Sequence, residues 1–309
     1  MFGIDLFREN VKIALGSIRT QLLRTILTIV IITIGITALV GILTVVAAFE
    51  NNLNSTFASM GSNTFNINQY KTQLRGNGGV NKIEKINPII TYPEAKAFKE
   101  KYSYPLTQTS LSFIATSSAE VKFENQKTDP EISVLGIDEY FLTNSGLEVT
   151  QGRNFNPFDI SNNVYYCIVG SDFVSKGLLK DINPIGKLIS IRGAKFKVIG
   201  VLKEKGSTFG NSQDLRIMIP IQVARSLFSA PNINYSLSTM IQKTELLDDA
   251  IDNAIFTMRK IKKLNPVEED NFGVSRSDDL VNRIASITGF LGVSAWLIGI
   301  ITILGSSIA

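Results

Sequence analysis

The feature that most limits the fold of this chain is a pair of long stretches without any ionisable side chain. The first runs from Ile26 to Phe49 and the second from Ile284 to Ala309. About 20 apolar helical residues, at about 1.5 Å each, cross a bilayer core of about 30 Å. We therefore predict transmembrane helices at residues 26–50 and 284–309, with a separate domain folded between them.

Each of these stretches has one alternative interpretation. A cleaved signal peptide has an apolar core of about 7–15 residues, whereas the first stretch is longer and follows a 25-residue front segment. A buried core helix would explain the second stretch, but 26 residues without a charge are too many for one. The lengths favour two membrane spans.

Residues 1–25 predict an amphipathic helix at the membrane surface. Apolar side chains recur at helical spacing, and basic side chains lie mostly off that stripe. The residues expected to contact lipid at the interface are Phe7, Val11, Ile18, Arg19 and Arg24. The positive-inside bias places this end in the cytoplasm, so residues 51–283 would be extracytoplasmic. A helix packed on another part of the protein is the alternative.

We expect a membrane protein in which transmembrane α-helices flank a mixed α/β (α+β) domain. This domain covers residues 51–283 and has two lobes. The segments that read as strands are SNTFNINQY, LSFIATSSAEVKFEN, EISVLGID, NVYYCIVG, LRIMIP and NYSLSTMIQ. Arg192-Gly193 marks a hairpin inside GKLISIRGAKFKVIGVLKEKG. Short helices are predicted after Pro93, at EYFLTNSG, at IQVARSLF and after Ser171, a plausible N-cap.

A longer helix is predicted at residues 244–264. One face carries apolar side chains at helical spacing, namely Leu247, Ala250, Ile251, Ala254, Met258 and Ile261. The sequence RKIKK at its end is most simply a solvated terminus favoured by the helix dipole, with a lipid or partner contact as the alternative.

The composition argues against several functions. A net charge of +4, with well-mixed charges between the spans, gives no basic face for nucleic acid. The chain has no histidine and one cysteine, Cys167, which lies in an apolar run and reads as a buried, inert thiol. The sequence contains no Walker loop, EF-hand or G-x-S-x-G motif. We therefore expect no cofactor, no metal site and no catalytic residue, and an enzyme is not predicted.

Both predicted spans carry stripes of small residues. In the first span the stripe is Thr33, Thr37 and Gly41. In the second, the stripe follows a 3/4 spacing through Ala285, Thr288, Gly292, Ala295, Gly299, Thr302 and Ser306. Small residues let helix backbones approach closely in lipid, so we expect these positions to pack against other helices. The alternative is that glycine is simply commoner in membrane helices.

The order of these segments resembles the MacB/FtsX-type permeases of bacterial ABC transporters. ALGSIRTQLLRTILTIVIITIGITALVGI is similar to the family's entry segment, and MGSNTFNI to the motif that leaves the first span. SVLGIDEYFLTNSGLEVTQGRNFN, CIVGSDFVSKGL and PIGKLISIRGAKFKVIGVLKEKG are similar, in this order, to its MacB-like periplasmic core domain. SAWLIGIITILGSSIA looks like the opening of the second span. The resemblance is weak across residues 66–130.

The resemblance implies a permease with four spans, so the chain looks truncated after the start of the second span. It implies a bacterial inner-membrane protein driven by a separate ABC ATPase subunit, since no nucleotide-binding domain is present. It further implies a homodimer or a pairing with a related permease, and a periplasmic adaptor as a further possible partner. The mechanism implied is mechanotransmission, in which ATPase motion reaches the outer domain and exports or extracts a lipoprotein, a peptide or a drug.

A membrane sensor is the alternative from another class. Two spans around an extracytoplasmic ligand-binding domain would give the same topology. This alternative explains the small-residue stripes and the ordered core-domain motifs less well. A scaffold that activates cell-wall hydrolases is a third possibility, within the FtsX branch.

Overall fold

The computed structural model describes residues 7–11, 13, 16, 22–60, 63–70, 86–180, 182–205, 207–208, 211–212, 214–277, 289–290 and 292–302. The chain divides into two compact units. Met1–Ser55 and Val281–Ala309 form the helix unit, and Thr56–Leu280 form the outer domain.

The helix unit contains most of one long helix, whose last five residues belong to the outer domain. Helix α1 spans Leu22–Met60, so it begins before the predicted span and continues beyond it. Its segment Leu22–Ala48 reaches a mean hydropathy of 2.8 and is the one described helix long and apolar enough to cross a membrane. A shorter apolar helix, α8, covers Gly292–Thr302, and residues 7–11 are also helical. Residues 289–290 are helical too, and the rest of the second apolar stretch lies outside the described residues.

The outer domain alternates strands with shorter helices. Its helices are α2 (Tyr92–Lys101), α3 (Phe141–Asn144), α4 (Pro157–Ser161), α5 (Asp172–Ser175), α6 (Ile221–Leu227) and α7 (Leu247–Ile261), the last preceded by a 3₁₀ turn at Thr244–Leu246. Its strands are β1 (Thr64–Asn68), β2 (Thr107–Ala119), β3 (Val121–Phe123), β4 (Gln126–Lys127), β5 (Ile132–Ile137), β6 (Val149–Gly152), β7 (Tyr166–Val169), β8 (Leu188–Ile191), β9 (Ala194–Leu202), β10 (Ser207–Thr208), β11 (Asn211–Ser212), β12 (Arg216–Pro220), β13 (Ser236–Ile241) and β14 (Gly273–Arg276).

Twelve of these strands join one mixed sheet. Its order is β14-β1-β13-β2-β5-β12-β7-β9-β8-β3-β4, and β6 pairs with β9. The pairs β5/β12 and β7/β9 are parallel, and the others are antiparallel. The strands β10 and β11 form a separate hairpin. This arrangement confirms the predicted mixed α/β class.

The domain is one compact unit where two lobes were predicted. The reason lies in β2, whose 13 residues pair with β13 over one part and with β5 over another. The chain then continues directly into β3, which pairs with β8 near the far edge of the sheet. Because this strand runs between the two halves, the sheet stays continuous.

Both faces of the central strands are covered. In β7, Cys167 and Val169 belong to the larger apolar core, while Ile168 between them belongs to a second cluster on the opposite face. The strand β12 repeats this alternation. Successive side chains of a strand point to opposite faces, so a run that is apolar throughout marks a strand covered on both sides. This explains the uninterrupted apolar letters of both segments.

Local signals predicted the hairpin and the long helix well. Arg192 and Gly193 connect β8 to β9 with positive φ angles of 51° and 85°, as a tight hairpin turn requires. In α7 four of the predicted core residues are buried, and the other two, Ile251 and Ile261, pack against the core.

Two details of the helix ends differ from what the sequence predicts. Ser171 occupies the N-cap position of α5, but its backbone is already helical and its side chain makes no capping hydrogen bond. The RKIKK terminus of α7 is not simply solvated, because the ammonium of Lys262 is 3.3 Å from Glu94 and its side chain is only 2% exposed. Arg259 likewise pairs with Asp270 and donates to carbonyls of the following loop.

Candidate functional site

One face of α1 is covered between residues 28 and 46. The half-buried residues follow a spacing of four and three and are Thr28, Ile32, Gly35, Leu39, Ile42 and Val46. The intervening side chains are exposed, for example Ile34 at 64% and Val45 at 68%. A 3/4 spacing marks one stripe of a helix, so α1 presents a single packed face inside the helix unit.

Helix α8 meets that face with small residues. A Cβ added at Gly35 would lie 2.9 Å from the Cβ of Thr302, and one added at Gly299 would lie 3.8 Å from Cδ2 of Leu39. Ala295 is fully buried. The two backbones can approach closely only because these positions lack bulk, which is how small residues pack apolar helices together.

The predicted packing residues divide into three groups. Ala295, Gly299 and Thr302 lie on the packed side of α8, and Gly292 is half-buried there with open space at its Cβ position. The first-span residues are exposed on α1 and are Thr33, Thr37 and Gly41. The remaining three, Ala285, Thr288 and Ser306, lie outside the described residues.

Gly35 is a packing residue that the sequence analysis missed. Residues two apart lie about 200° apart around a helix, so Gly35 faces away from the predicted packing residues Thr33 and Thr37. The signal was present as a second glycine in the apolar stretch, at 3/4 spacing from Ile32 and Leu39.

Threonine hydroxyls on both apolar helices donate to carbonyls of their own helix. Thr33 donates to the carbonyl of Ile29 at 2.7 Å, and Thr302 donates to that of Ile298 at 2.7 Å. Buried or lipid-facing hydroxyls need such a partner, so these threonines suit an apolar environment.

The predicted interface residues are partly described. Phe7 and Val11 are helical and exposed, at 69% and 42%. Arg24 is exposed near the start of α1, and its carbonyl accepts a hydrogen bond from Thr28 at 2.9 Å. Ile18 and Arg19 lie outside the described residues.

The outer domain places the two strands that border the apolar stretches side by side. Strand β1 follows α1, β14 precedes the second apolar stretch, and the two pair antiparallel with Phe65 opposite Arg276. Beside this pairing, the hydroxyls of Thr64 and Ser277 share a buried hydrogen bond of 2.5 Å. An ion pair between Arg276 and Asp248 ties β14 to α7. We call this arrangement of β1, β14 and the Thr64–Ser277 bond the entry clamp.

A partly buried charge network lies elsewhere in the domain. The ammonium of Lys99 is 2.7 Å from Asp138 and 3.0 Å from Glu139, and Asp138 also accepts from the backbone N–H of Leu111 at 2.8 Å. Burial alone would lower the pKa of Lys99, but Asp138 and Glu139 outweigh it and raise the pKa. These bonds connect α2 to residues 138–139, which directly precede α3, and so support the fold of the outer domain.

No catalytic constellation is visible in the described part of the chain. Groups of histidine, cysteine, aspartate or glutamate that could hold a metal ion are absent from it. Cys167 is fully buried, and burial raises the pKa of its thiol far above neutral. A nucleophilic thiolate therefore does not form there.

Comparison with known proteins identifies the family. The sequence profile of the MacB-like periplasmic core domain matches residues 25–255. The macrolide export ATP-binding/permease protein MacB of Neisseria gonorrhoeae is 26% identical over 290 residues, which cover 93% of this chain and 42% of that protein. The protein of the same description from Vibrio parahaemolyticus is 27% identical over 216 residues, covering 70% and 31%. The chain thus spans less than half the length of these relatives.

Solved structures agree on the fold. The periplasmic region of MacB from Actinobacillus actinomycetemcomitans superposes with a TM-score of 0.56 at 18% identity, over 75% of this chain and 97% of that one. The extracellular domain of YknZ, a noncanonic ABC-type transporter from Gram-positive bacteria, gives 0.50 at 18% identity, over 69% and 100%.

The fold is therefore that of the domains which these transporters carry outside the cytoplasm. The chain belongs to the family of MacB-like periplasmic core domains, and its resemblance to MacB/FtsX-type permeases is confirmed. Because these relatives are transporters, the sensor alternative is not favoured.

Proposed function

We propose that this chain is the permease part of a MacB/FtsX-type ABC transporter and passes motion from a separate ATP-binding subunit to its outer domain. The observation that carries this proposal is the entry clamp. The chain segments that lead to the two apolar stretches begin and end on adjacent, hydrogen-bonded strands of a MacB-like domain.

The first step of the proposal is that both apolar stretches cross the bacterial inner membrane. Exposed apolar side chains cover the outward faces of α1 and α8, including Ile34 at 64% and Trp296 at 73%. Large exposed apolar surface is rare on soluble proteins and is stable in lipid. The N-terminus would be cytoplasmic, with Phe7, Val11 and Arg24 at the lipid interface.

The second step concerns how motion is passed on. Helix α1 is continuous over 39 residues and ends four positions before β1. A continuous helix moves as a rigid element, and a shift of either apolar helix would pull on β1 or β14. Because those strands are bonded to each other, and β14 to α7, the clamp would carry the displacement into the sheet and α7.

The remaining partners are proposed by analogy with the family. A second copy or a related permease would pack against the exposed small residues Thr33, Thr37 and Gly41. The ATP-binding subunit would act on the cytoplasmic side, and a periplasmic adaptor would act on the outer domain. The transported molecule would be a lipoprotein, a peptide or a drug.

The test of the membrane topology uses single cysteines. Cys167 is buried and unreactive, and it can be replaced by alanine to remove any background. We expect Lys101→Cys in the outer domain to react with a membrane-impermeant maleimide in intact cells. Arg8→Cys should react only after permeabilisation. Labelling in the reverse pattern, or of both positions in intact cells, would reject the topology.

The test of the transport function uses a MacB-type ATP-binding subunit produced together with this chain. We expect the two to copurify in detergent and ATP hydrolysis to change when the chain is present. An ATP-binding subunit that neither copurifies nor changes its activity would reject the permease proposal while leaving the topology standing.

A further inference from the structure

The outer domain contains a polar cleft that the permease proposal does not use. It has a volume of about 700 Å³, within the range of small-molecule sites. Three segments form it: the second half of β2 with β3, the β8–β9 turn, and residues 228–230 after α6. Hydroxyl groups line its walls, from Thr116, Ser118, Ser190 and Ser229.

Arg192 lines this cleft and has an unusual backbone conformation. Its φ of 51° lies in the left-handed region, where a hairpin turn favours asparagine or glycine. An arginine there costs folding free energy relative to asparagine or glycine. Its guanidinium lies 5.4 Å from the ring centroid of Phe228 and donates to the carbonyl of Leu227 at 3.1 Å. A guanidinium has five N–H donors, so this anchoring bond leaves donors for a ligand.

A row of basic side chains runs across the sheet beside the cleft. By register, Lys195 is opposite Ser190, Ser190 is opposite Lys122, and Lys122 is opposite Lys127. Like charges directly opposite on neighbouring strands are destabilising. Glu120 compensates in part, since it lies 3.2 Å from the ammonium groups of both Lys122 and Lys127.

The charges in and beside the cleft leave a positive excess. The cations are Lys122, Lys127, Arg192 and Lys195. The anions near them are Glu120 and Glu124, which lies in the β3–β4 turn. A positive excess at a concave site raises the local concentration of anions. Glu120 pairs with Lys122 and Lys127, whereas Arg192 and Lys195 make no ion pair with it.

We propose that this basic cleft binds a phosphate-bearing ligand. Guanidinium groups bind phosphate oxygens bidentately, and lysine adds a point charge. A phosphate monoester carries close to two charges and three acceptor oxygens, which match Arg192, Lys122 and the hydroxyl donors better than a single carboxylate does. The phosphate would come from a free phosphorylated solute or from a phospholipid headgroup.

The experiment is calorimetric titration of the full 309-residue chain in a non-ionic detergent at low salt. The probes are glycerol 3-phosphate for the free solute and dihexanoyl phosphatidic acid, below its critical micelle concentration, for a lipid headgroup that keeps a phosphate monoester. Glycerol is the uncharged control. We expect saturable binding of at least one phosphate probe, weakened by added salt. The probe that binds more tightly identifies the source.

Two variants decide whether the cleft is responsible. Arg192→Asn suits the left-handed turn, so it should fold at least as stably as the wild type while weakening binding about tenfold or more. Lys122→Gln should weaken binding to a similar degree. The matched control is Lys101→Gln, an exposed lysine of α2 that changes the net charge equally and should leave binding within about twofold.

The proposal would be overturned by either of two results. One is the absence of saturable binding for both phosphate probes. The other is binding that persists unchanged in Arg192→Asn. Neither result bears on the permease proposal, which rests on the entry clamp and the family.

Discussion

The outer domain and the helix unit differ in where their apolar side chains lie. In the outer domain, large side chains such as Phe98 and Phe196 are fully buried. In the helix unit, Ile34, Val45 and Trp296 are each more than 60% exposed, and one stripe of α1 is covered. The outer domain closes its own core, whereas the helix unit leaves most of its apolar surface to be covered by something else.

The two units also differ in their use of charge. Among the described residues, all the ion pairs lie in the outer domain. Several are partly buried and join distant segments, such as Lys99 with Asp138 and Lys262 with Glu94. In α1, residues 26–48 carry no charge and hydrogen bonds stay inside the helix. The difference is the one expected between a domain in water and helices in lipid.

The largest effect that would test this comparison comes from the core of the outer domain. Phe98 is fully buried and its ring stacks on Tyr102 with centroids 4.9 Å apart. We expect Phe98→Ala to lower the free energy of unfolding by about 3–5 kcal/mol, because it leaves a cavity. The measurement is urea unfolding of the outer domain in the full chain, followed by near-ultraviolet circular dichroism of its tyrosines.

The control is a similar truncation in the helix unit. Ile34 is 64% exposed on α1, so Ile34→Ala should change the unfolding of the outer domain by less than about 0.5 kcal/mol. Equal losses from the two variants would mean that the outward face of α1 contributes to the fold of the outer domain. The contrast between the two units would then be lost.

The second prediction concerns how the stability of the outer domain depends on pH. Asp159 is buried and accepts from Arg153 at 2.5 and 3.2 Å and from the N–H of Asn156 at 3.0 Å. Burial alone would raise the pKa of Asp159, but Arg153 and Asn156 outweigh it and lower the pKa below its ordinary value. A carboxyl whose pKa is depressed by folding stabilises the fold above its unfolded pKa, near 4, and loses this contribution as pH falls.

We therefore expect the wild-type outer domain to lose stability as pH falls below about 4, and Asp159→Asn to lose less over the same range. Urea midpoints at several pH values between 2 and 6 provide the measurement. Glu148→Gln removes an exposed carboxylate paired with Lys203 and should alter the pH dependence much less. An unchanged pH dependence in Asp159→Asn would show that its ion pair does not stabilise the fold.

Short-range patterns predicted much of this fold. The β8–β9 turn follows from Arg192-Gly193 between two alternating runs, and the buried face of α7 follows from apolar residues at 3/4 spacing. Both depend on residues close together in the sequence. Features made by distant residues could not be predicted in this way. The entry clamp joins Thr64 to Ser277, and Glu94 meets Lys262 across 168 positions.

The same limit applies to the candidate site. Periodicity identifies the faces of a helix but does not say which face meets which neighbour. In α8 the small stripe includes Gly299 and Thr302, which lie on the side that packs against α1. In α1 the chosen stripe excluded Gly35, whose importance depends on the position of Thr302 in space. The role of Thr33, Thr37 and Gly41 in packing stays a prediction.

The smallest effect concerns the packing of the two apolar helices. A side chain added at Gly35 would collide with Thr302, whereas one added at Gly41 would meet no atom within 4 Å. We expect Gly35→Leu to separate α1 from α8 at a cost of about 1–2 kcal/mol, and Gly41→Leu to leave them in contact.

Disulfide formation between Leu39→Cys and Gly299→Cys, in the Cys167→Ala background in detergent, measures the contact. It should fall severalfold in Gly35→Leu alone. An equal fall in Gly41→Leu would mean that the exposed face of α1 also supports this pairing, and the helix unit would then have two packed faces where the structure shows one.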